Sequence, residues 1–486
     1  MRSLYLAVPD KQPISRTDPR FLSIALDWAL IVGERWWEGT RRTRRGFGSV
    51  RARKLDLNDP RLISAAAALG PAYLRLGGSE SDRMAFDAPA VPGNRALGHL
   101  PSLSQCPTIL SPDRWDEVVT FAGAAALDLF VCVGVGACAR DQRGRWEPHS
   151  FRRFLDHLER RGQRVAVWEL GNEVNGFPFI HGLSARVSPA QYAEDFGLFR
   201  RVLEKQDPEN GNSAKSEELP LRAGPASAVW PVIGEPIPMA GKVARRLRSG
   251  LDMLTWHYYP YQSRRGVIGV RRVGFRNALR SRARRSAQRL AGRMRRCAAT
   301  NGIGSVWLSE TGQALFGGEP GISDRFAGSL WWLDHLGTMA RAGMNGVVRQ
   351  ALVGGDYGLL EQEGLRPRPD FWCSLLWKSL MGTVVYDPLE LGGSLRVYRQ
   401  SRADGEKGWS ALAVNMSRRR EVELELEGAA QIWRVEGSLD GRELEVNGST
   451  LGPEVEPSKK AIPGSESVAG KVSLPPASAA FLLFGE

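Results

Sequence analysis

The chain has 486 residues, of which 42% are hydrophobic and 24% are charged, and its formal net charge at pH 7 is +13. This length predicts one large domain with a smaller accessory domain, and the absence of a run of about 18 apolar residues excludes a membrane-spanning helix. Five scattered cysteines without a CxxC pair encode no disulfide framework. Histidines without metal-ligand spacing predict no metal site, and we expect no cofactor.

The positive charge is concentrated in two regions. No Asp or Glu occurs between Asp252 and Glu310, and residues 264–296 within that gap contain thirteen arginines. A second basic cluster spans residues 41–54. Charge of this density favours a polyanion, either a sulfated or uronate-bearing glycan or a nucleic acid. The alternative for residues 277–296 is the solvated face of a helix.

Short apolar runs alternate with segments of helical periodicity, which predicts a (β/α)8 barrel. The predicted helices include 60–69, 151–161, 189–204 and 324–342. The eight predicted strands are 21–27, 72–77, 127–134, 164–171, 221–226, 253–258, 305–310 and 346–352.

After about residue 384 the pattern changes to short alternating strands separated by turn residues, which indicates a β-sandwich. We expect residues 3–8 to pair with this sandwich and residues 452–470 to form a surface loop. The predicted domains are an N-terminal strand segment (1–20), a catalytic barrel (21–383) and the sandwich (384–486). The predicted sandwich strands are 394–399, 409–415, 421–427, 431–436, 471–474 and 480–484.

Two predicted barrel strands, the fourth and the seventh, end near a glutamate. The fourth runs into Asn172-Glu173, and the seventh ends at Glu310. Barrel chemistry is located at the C-terminal ends of the strands, and a pair of carboxyl groups there can hydrolyse a glycosidic bond. We expect Glu173 to be the protonated acid, Glu310 the ionised partner, and Asn172 a donor to the sugar hydroxyl. Two solvated glutamates at strand ends are the alternative.

Other polar and aromatic residues are predicted at the same rim. His257 ends the sixth strand, where it could hydrogen-bond the nucleophile, although a buried structural histidine is the alternative. Gly317 and Gly318 could direct backbone N–H groups at a carboxylate, or simply form a turn. The aromatic residues expected near this rim are Trp36, Trp37, Trp168, Trp256, Tyr258, Tyr259 and Tyr357.

Six segments together resemble the heparanase family of retaining endo-β-glucuronidases. They are residues 71–82 (PAYLRLGGSESD), 168–173 (WELGNE), 255–259 (TWHYY), 306–311 (VWLSET), 323–327 (SDRFA) and 349–350 (RQ). The resemblance implies a (β/α)8 barrel with a β-sandwich. It also implies double displacement through a covalent glycosyl-enzyme, with cleavage of internal bonds from β-glucuronic acid to glucosamine in heparan sulfate.

The resemblance also implies roles for individual residues. The acid/base falls on Glu173 and the nucleophile on Glu310. The chain departs from the family at 315–318, where Leu-Phe-Gly-Gly replaces a tyrosine and three glycines, and the segment before Tyr357 is one residue shorter. The remaining residues implied to bind substrate are Asp27, Gly78, Ser79, Asn172, His257, Phe316, Gly317, Gln350, Gly355 and Tyr357.

Between residues 87 and 118 this chain has only a short connection, where animal relatives carry a long excised segment, so activity as a single chain and a monomer is expected. The implied partner is heparan sulfate or a related sulfated, uronate-containing glycan. That substrate suggests a secreted or cell-surface protein, although the N-terminal apolar run is too short for a signal peptide.

Three alternatives stay open from the sequence. One is an exo-β-glucuronidase, or an enzyme for another uronate glycan such as hyaluronan. Another is a non-catalytic heparin-binding protein, which would not need paired carboxylates. Nucleic-acid binding rests on net charge alone, and since no recognised motif supports it we expect no nucleic-acid partner.

Overall fold

The computed structural model describes residues 4–9, 12–37, 49–87, 108–204, 219–266, 270–387 and 394–485. Eight parallel strands close into a barrel, with the eighth strand returning to the first so that Val347 lies opposite Leu22. The predicted barrel is therefore confirmed. Its strands are β1 (Leu22–Asp27), β2 (Tyr73–Gly77), β3 (Asp128–Val133), β4 (Val167–Leu170), β5 (Leu221–Val229), β6 (Met253–Tyr258), β7 (Ser305–Thr311) and β8 (Gly346–Arg349).

Helices alternate with these strands, as the sequence periodicity predicted. Several begin after residues that favour helix N-caps; Asp59 accepts hydrogen bonds from the N–H groups of Arg61 and Leu62, for example. In the described part of the chain, no helix combines the length and apolar character that a membrane crossing needs. The helices are Trp28–Val32, Pro60–Ala68, Pro112–Ala124, His149–Arg161, Phe177–Ile180, Pro189–Glu204, Ala240–Leu247, Phe275–Ala278, Ser281–Thr300, Phe326–Arg341 and Pro369–Leu380.

A layer of eight side chains, one from each strand, fills the barrel interior. Tyr73 is central to it, with its ring 5.2 Å from Trp307 and 6.0 Å from Phe130. Inward side chains recur every second residue along a strand, so the next inward layer of β2 and β4 contains Arg75 and Glu169. The apolar layer thus closes the barrel beneath a polar one. Its members are Ala25, Tyr73, Phe130, Val167, Ala223, Met253, Trp307 and Val348.

A separate, mainly antiparallel sheet follows the barrel. Strand Leu4–Leu6 pairs with Val422–Glu436, and Ser15–Arg16 pairs with Met381–Tyr386, so the N-terminus joins this sheet. Leu6 is fully buried in its core. The other strands of this sheet are Leu395–Arg402, Trp409–Asn415, Leu444–Val446, Ser449–Leu451, Glu466–Leu474 and Ser478–Phe484.

Some sequence predictions for this sheet were wrong in detail. The two strands expected at 421–427 and 431–436 form one strand, Val422–Glu436, whose pairing shifts between Glu425 and Ala429. The expected loop 452–470 contains a 3-10 turn, Lys459–Ala461, and the start of Glu466–Leu474. The domain boundaries stay a prediction. Residues 41–48 of the second basic cluster, residue 3 of the N-terminal strand and most of the short connection after Asp87 lie outside the described residues.

Candidate active site

Glu173 lies just beyond the C-terminal end of β4 in a left-handed backbone conformation, with φ 51° and ψ 39°. Non-glycine residues rarely adopt this conformation, and it occurs mainly where surrounding contacts enforce it. Here the Glu173 N–H donates to the carbonyl of Ala226 at 3.1 Å, and the Glu173 carbonyl accepts from the N–H of Gly176 at 2.7 Å. The backbone therefore aims the carboxyl group into the barrel mouth.

Glu310, in β7, faces Glu173 across the mouth. One carboxyl oxygen of each residue lies within 4.8 Å of the other, and each residue is 7% exposed. Burial alone would raise the pKa of Glu310. Electrostatic attraction from His257 and Arg75, with hydrogen bonds from Tyr259 and Arg75, lowers that pKa below its ordinary value. One member of the pair is therefore held ionised.

Arg75 lies at the centre of the site and is fully buried. Its guanidinium donates to Glu169 Oε2 at 2.7 and 2.9 Å, to Glu310 Oε2 at 3.0 Å and to Asn172 Oδ1 at 2.9 Å. Glu169 also accepts from the hydroxyl of Ser309 at 3.1 Å. The sequence analysis did not single out Arg75 or Glu169. The sequence feature that could have identified them is a charged residue in the middle of an otherwise apolar strand.

His257 bridges Arg75 and Glu173. Its Nε2 lies 3.3 Å from Arg75 Nη2, and its Nδ1 lies 3.2 Å from Glu173 Oε1 and 3.8 Å from Glu310 Oε2. Nδ1 faces the Glu173 carboxyl group as a donor, and Nε2 faces the guanidinium. From the sequence, His257 was expected to hydrogen-bond the nucleophile; in the structure its hydrogen bond is with Glu173 instead.

Two aromatic side chains also donate hydrogen bonds to the carboxyl pair. The Tyr259 hydroxyl donates to Glu310 Oε1 at 2.7 Å, and burial raises the pKa of that phenol, so it keeps its proton. The Trp230 indole N–H donates to Glu173 Oε2 at 3.1 Å. Tyr259 was recognised from the sequence only as a rim aromatic. Trp230 was not recognised, since it lies on the loop after β5 with no motif to mark it.

Asp27, Gly78 and Gln350 form one wall of the mouth. Asp27 Oδ1 accepts from the N–H of Ala29, and Gln350 Nε2 lies 3.4 Å from Asp27 Oδ2. Burial raises the pKa of Asp27 to about 8, with a smaller contribution from the charge of Glu310. A side chain at Gly78, which has φ 93°, would place its Cβ 1.9 Å from Asp27 Oδ2. The motif glycine therefore makes room for this carboxyl group.

Asn172 is oriented by hydrogen bonds on both its backbone and its side chain. Its N–H donates to Asp82 Oδ2 at 3.1 Å, and its Oδ1 accepts from Arg75 and from the Gly78 N–H. The amide Nδ2 is thus the group left to donate to a ligand. Ser79 follows Gly78 as an exposed residue at the start of a 3-10 helix, Ser79–Arg83.

The loops after β7 and β8 meet beside the carboxyl pair. Phe316, Gly317 and Gly318 all have positive φ, and the Gly317 carbonyl accepts from the Asp356 N–H at 2.5 Å. A Cβ on Gly355 would lie 2.8 Å from that carbonyl, which explains the close approach of the two loops. The Gly318 N–H donates to Ala314 O at 3.1 Å, so it is used internally rather than offered to a ligand, as the turn alternative from the sequence requires.

Arg265 also holds these two loops together. It is buried, and it donates to the Gly318 carbonyl at 2.8 Å and to the Asp356 carboxylate. Phe316 packs edge-on against Trp37, with ring centroids 5.4 Å apart. Tyr357 stacks on Tyr259 at 6.3 Å, close to Glu310. The structure thus brings Phe316, Gly317, Gly355 and Tyr357 together on one side of the mouth.

Within the described residues, the one cluster with metal-ligand spacing is Glu173, His257 and Glu310. The Arg75 guanidinium contacts both His257 and Glu310, and the His257 Nδ1 proton points at Glu173. A cation at this point would meet a fixed positive charge and a donor hydrogen, so these side chains suit a sugar hydroxyl better than a metal ion.

Comparisons with known proteins found similarity to glycoside hydrolases. Residues 4–337 match the model of glycosyl hydrolase family 79, N-terminal domain. Heparanase from Mus musculus is 28% identical over 418 residues, covering 76% of this chain and 69% of that protein. Baicalin-beta-D-glucuronidase from Scutellaria baicalensis is 25% identical over 475 residues, covering 91% and 84%. The crystal structure of a rhamnosyl-glucuronidase from Fusarium oxysporum has a TM-score of 0.67 at 15% identity, covering 99% and 100%, and shares the fold.

Proposed function

The chain belongs to glycosyl hydrolase family 79, and we propose that it is a retaining β-glucuronidase with Glu310 as the nucleophile and Glu173 as the acid/base. The observation that carries the proposal is the short approach of the two carboxyl groups, within 4.8 Å between nearest oxygens. Retaining enzymes have carboxyl separations of about 5–5.5 Å, whereas inverting enzymes need about 6.5–9.5 Å for a water molecule.

The proposed reaction has two steps. In the first, a Glu310 carboxylate oxygen bonds to the anomeric carbon while the glycosidic bond breaks and Glu173 transfers its proton to the leaving oxygen. In the second, Glu173 takes a proton from water, the water oxygen bonds to the anomeric carbon, and Glu310 leaves as a carboxylate. The lowered pKa of Glu310 supports its role as the ionised member.

The neighbouring groups support the same assignment. Tyr259 and Arg75 donate to Glu310 and orient it, while Trp230 and His257 donate to Glu173. Asn172 Nδ2 is available for a sugar hydroxyl, an interaction that strengthens in an oxocarbenium-like transition state. We assign the glucuronic acid to the space bounded by Asp27, Gln350, Tyr357 and the 316–318 loop.

For the natural substrate, the first candidate is internal cleavage of heparan sulfate. It is supported by similarity to heparanases and by exposed arginines on the catalytic face after β6, including Arg264, Arg271 and Arg272. The second candidate is an exo-acting glucuronidase or an enzyme for another uronate glycan. It is supported by similarity to baicalin-beta-D-glucuronidase and by the changed residues at 315–318.

The test is incubation of heparan sulfate, and of hyaluronan in parallel, with the wild type and with Glu310→Gln, followed by size-exclusion chromatography. Shortening of heparan sulfate chains by the wild type alone would support endo-cleavage, and release of glucuronic acid at constant chain length would support exo-cleavage. Binding of heparan sulfate with no hydrolysis of any glucuronide would instead indicate a non-catalytic binding protein.

The retaining mechanism needs its own measurement, which is proton NMR of a chromogenic β-glucuronide during hydrolysis. Retention predicts that the β-anomer of glucuronic acid forms first and then mutarotates. First formation of the α-anomer would contradict both the nucleophile and the mechanism.

A further inference from the structure

Exposed apolar side chains collect beside Glu173. Of the eleven large hydrophobic residues that are exposed in the described part of the chain, five lie in the loops after β4 and β5. Single exposed apolar residues are ordinary, but several in two neighbouring loops at the mouth of a site indicate a binding surface. We call this group the apolar rim; its members are Phe179, Ile180, Leu183, Val232 and Ile233.

Trp230 joins the apolar rim to the acid/base. Its indole N–H donates to Glu173 Oε2 at 3.1 Å, and its ring lies edge-on to Phe179 with centroids 5.7 Å apart. The lack of a side chain at Gly176 allows Trp230 and Ile180 to pack closely against it, because a Cβ there would lie 2.7 Å from the Trp230 ring and 3.3 Å from Ile180. The apolar rim therefore reaches Glu173 through Phe179, Ile180 and Trp230.

The turn that presents Val232 and Ile233 is held in an unfavourable conformation. Val232 has φ 75°, which is uncommon for any non-glycine residue and a genuine outlier for a β-branched one. The turn is closed by two hydrogen bonds between the backbones of Trp230 and Gly234, at 2.9 and 3.0 Å. Strain of this kind persists where the surrounding structure enforces it, often at ligand sites.

The apolar rim carries little charge. Within the two loops, residues 174–188 and 230–239, the charged residues are Arg186 and Glu235. Arg186 is exposed, whereas Glu235 is half-buried and accepts from the Ser227 hydroxyl and from the N–H groups of Met239 and Ala240. His181 packs on Phe177, and burial, together with the charge of Arg83, lowers its pKa to about 4, so it is neutral at physiological pH. Sulfate groups would find only one cation in these loops.

We propose that the apolar rim binds the leaving group of the substrate and that this leaving group is a planar, uncharged aromatic aglycone. The inference rests on the proposed β-glucuronidase function, and it favours the second substrate candidate over heparan sulfate, whose leaving group is a glucosamine residue. Since Glu173 donates its proton to the leaving oxygen, the aglycone has to lie on the Trp230 side of that carboxyl group. There it meets Phe179 and the 232–233 turn rather than the arginines after β6.

The test compares two glucuronides of similar leaving-group acidity, methylumbelliferyl β-D-glucuronide and the same compound with a sulfonate on the coumarin ring. We expect the wild type to prefer the uncharged compound by about tenfold or more in kcat/KM, because an anion in an apolar site loses hydration without gaining a partner. Phe179→Ser and Val232→Ser should each lower kcat/KM for the uncharged compound by about tenfold, mainly through KM.

The control is Leu219→Ser, which removes an equally exposed apolar side chain before β5 and should change neither substrate's kinetics. Equal loss on both compounds in the Phe179 and Val232 variants, or a wild-type preference for the sulfonated compound, would overturn the inference and leave the glucuronidase function standing. If folded wild type hydrolysed neither glucuronide, the proposed function would fail, and the inference with it.

Discussion

Arg75 Nη1 donates a hydrogen bond to Glu310 Oε2 at 3.0 Å, and the two side chains form an ion pair inside the barrel. The guanidinium is fully buried and is shared with Glu169, Asn172 and His257. A buried charge with several partners is costly to disturb and is well suited to fixing the geometry and ionisation of a neighbour.

Replacing Arg75 should shift the pH dependence of activity. Arg75 lowers the pKa of Glu310, so Arg75→Gln should raise that pKa and move the acidic limb of kcat/KM to higher pH. Arg75→Lys keeps the charge, so the pH of the acidic limb should stay close to the wild-type value while kcat falls. The measurement is kcat/KM against pH on a chromogenic glucuronide. An unshifted limb in Arg75→Gln would mean that Arg75 has only a structural role.

Arg75 and Glu169 should also be coupled in stability. Arg75→Met leaves the Glu169 carboxylate buried with Ser309 as its remaining side-chain partner, and should cost about 3–5 kcal/mol of unfolding free energy. Arg75→Met with Glu169→Met removes both charges and should recover most of that loss, since paired replacement of a buried ion pair is often close to neutral. Denaturant unfolding of the two single variants and the double variant measures the coupling. Additive losses would contradict it.

The barrel and its carboxyl pair could be predicted from the sequence because both depend on local patterns. The apolar runs of β4 and β7 end near Glu173 and Glu310, and parallel barrel strands direct such ends to one rim. Arg75 and Glu169 could have been found by the same logic, as they lie two residues after the inward-facing Tyr73 and Val167.

The remaining contacts could not be predicted because they depend on irregular geometry. The pairing of β6 with β7 shifts between Trp256 and His257, which sets His257 opposite Glu310. The Trp230 contact depends on the path of the loop after β5, which no sequence period encodes. In the C-terminal sheet, Gly428 lies within the shifted pairing of strand Val422–Glu436, where two separate strands were predicted.

Asp27 should make the protein less stable at alkaline pH. Its pKa rises from 3.8 to about 8 in the folded state, so between these values the folded chain holds a proton that the unfolded chain releases. Stability therefore falls as pH rises through this window and levels off above it. At about pH 9 the free energy of unfolding of Asp27→Asn should exceed that of the wild type by about 3–5 kcal/mol. At about pH 4 the two values should be close. Thermal unfolding at the two pH values tests this.

The same residue should limit activity at alkaline pH. Protonated Asp27 can donate a hydrogen bond to a sugar hydroxyl, whereas the carboxylate cannot. The kcat/KM of the wild type should fall as pH rises through about 8, and Asp27→Asn, whose amide donates at every pH, should lack that limb. Identical alkaline limbs in the two proteins would assign the wild-type limb to another group.

Even alanine should be poorly tolerated at Gly78. Its methyl group would enter the space that the Asp27 carboxyl group fills, and its backbone would also be strained. In Gly78→Ala the new Cβ would lie 1.9 Å from Asp27 Oδ2 at φ 93°, so the carboxyl group or the backbone has to move.

Gly144 offers a matched control, since it also has positive φ, 76°, but nothing lies within 4 Å of its Cβ position. Gly144→Ala should cost about 1–2 kcal/mol from backbone strain alone and keep full activity. Gly78→Ala should cost more than that and lower kcat/KM by about a hundredfold, because displacing a substrate-positioning group by about 1 Å has that effect. Equal stability losses in the two variants, with activity retained in both, would show that Asp27 can move aside freely and does not hold the sugar.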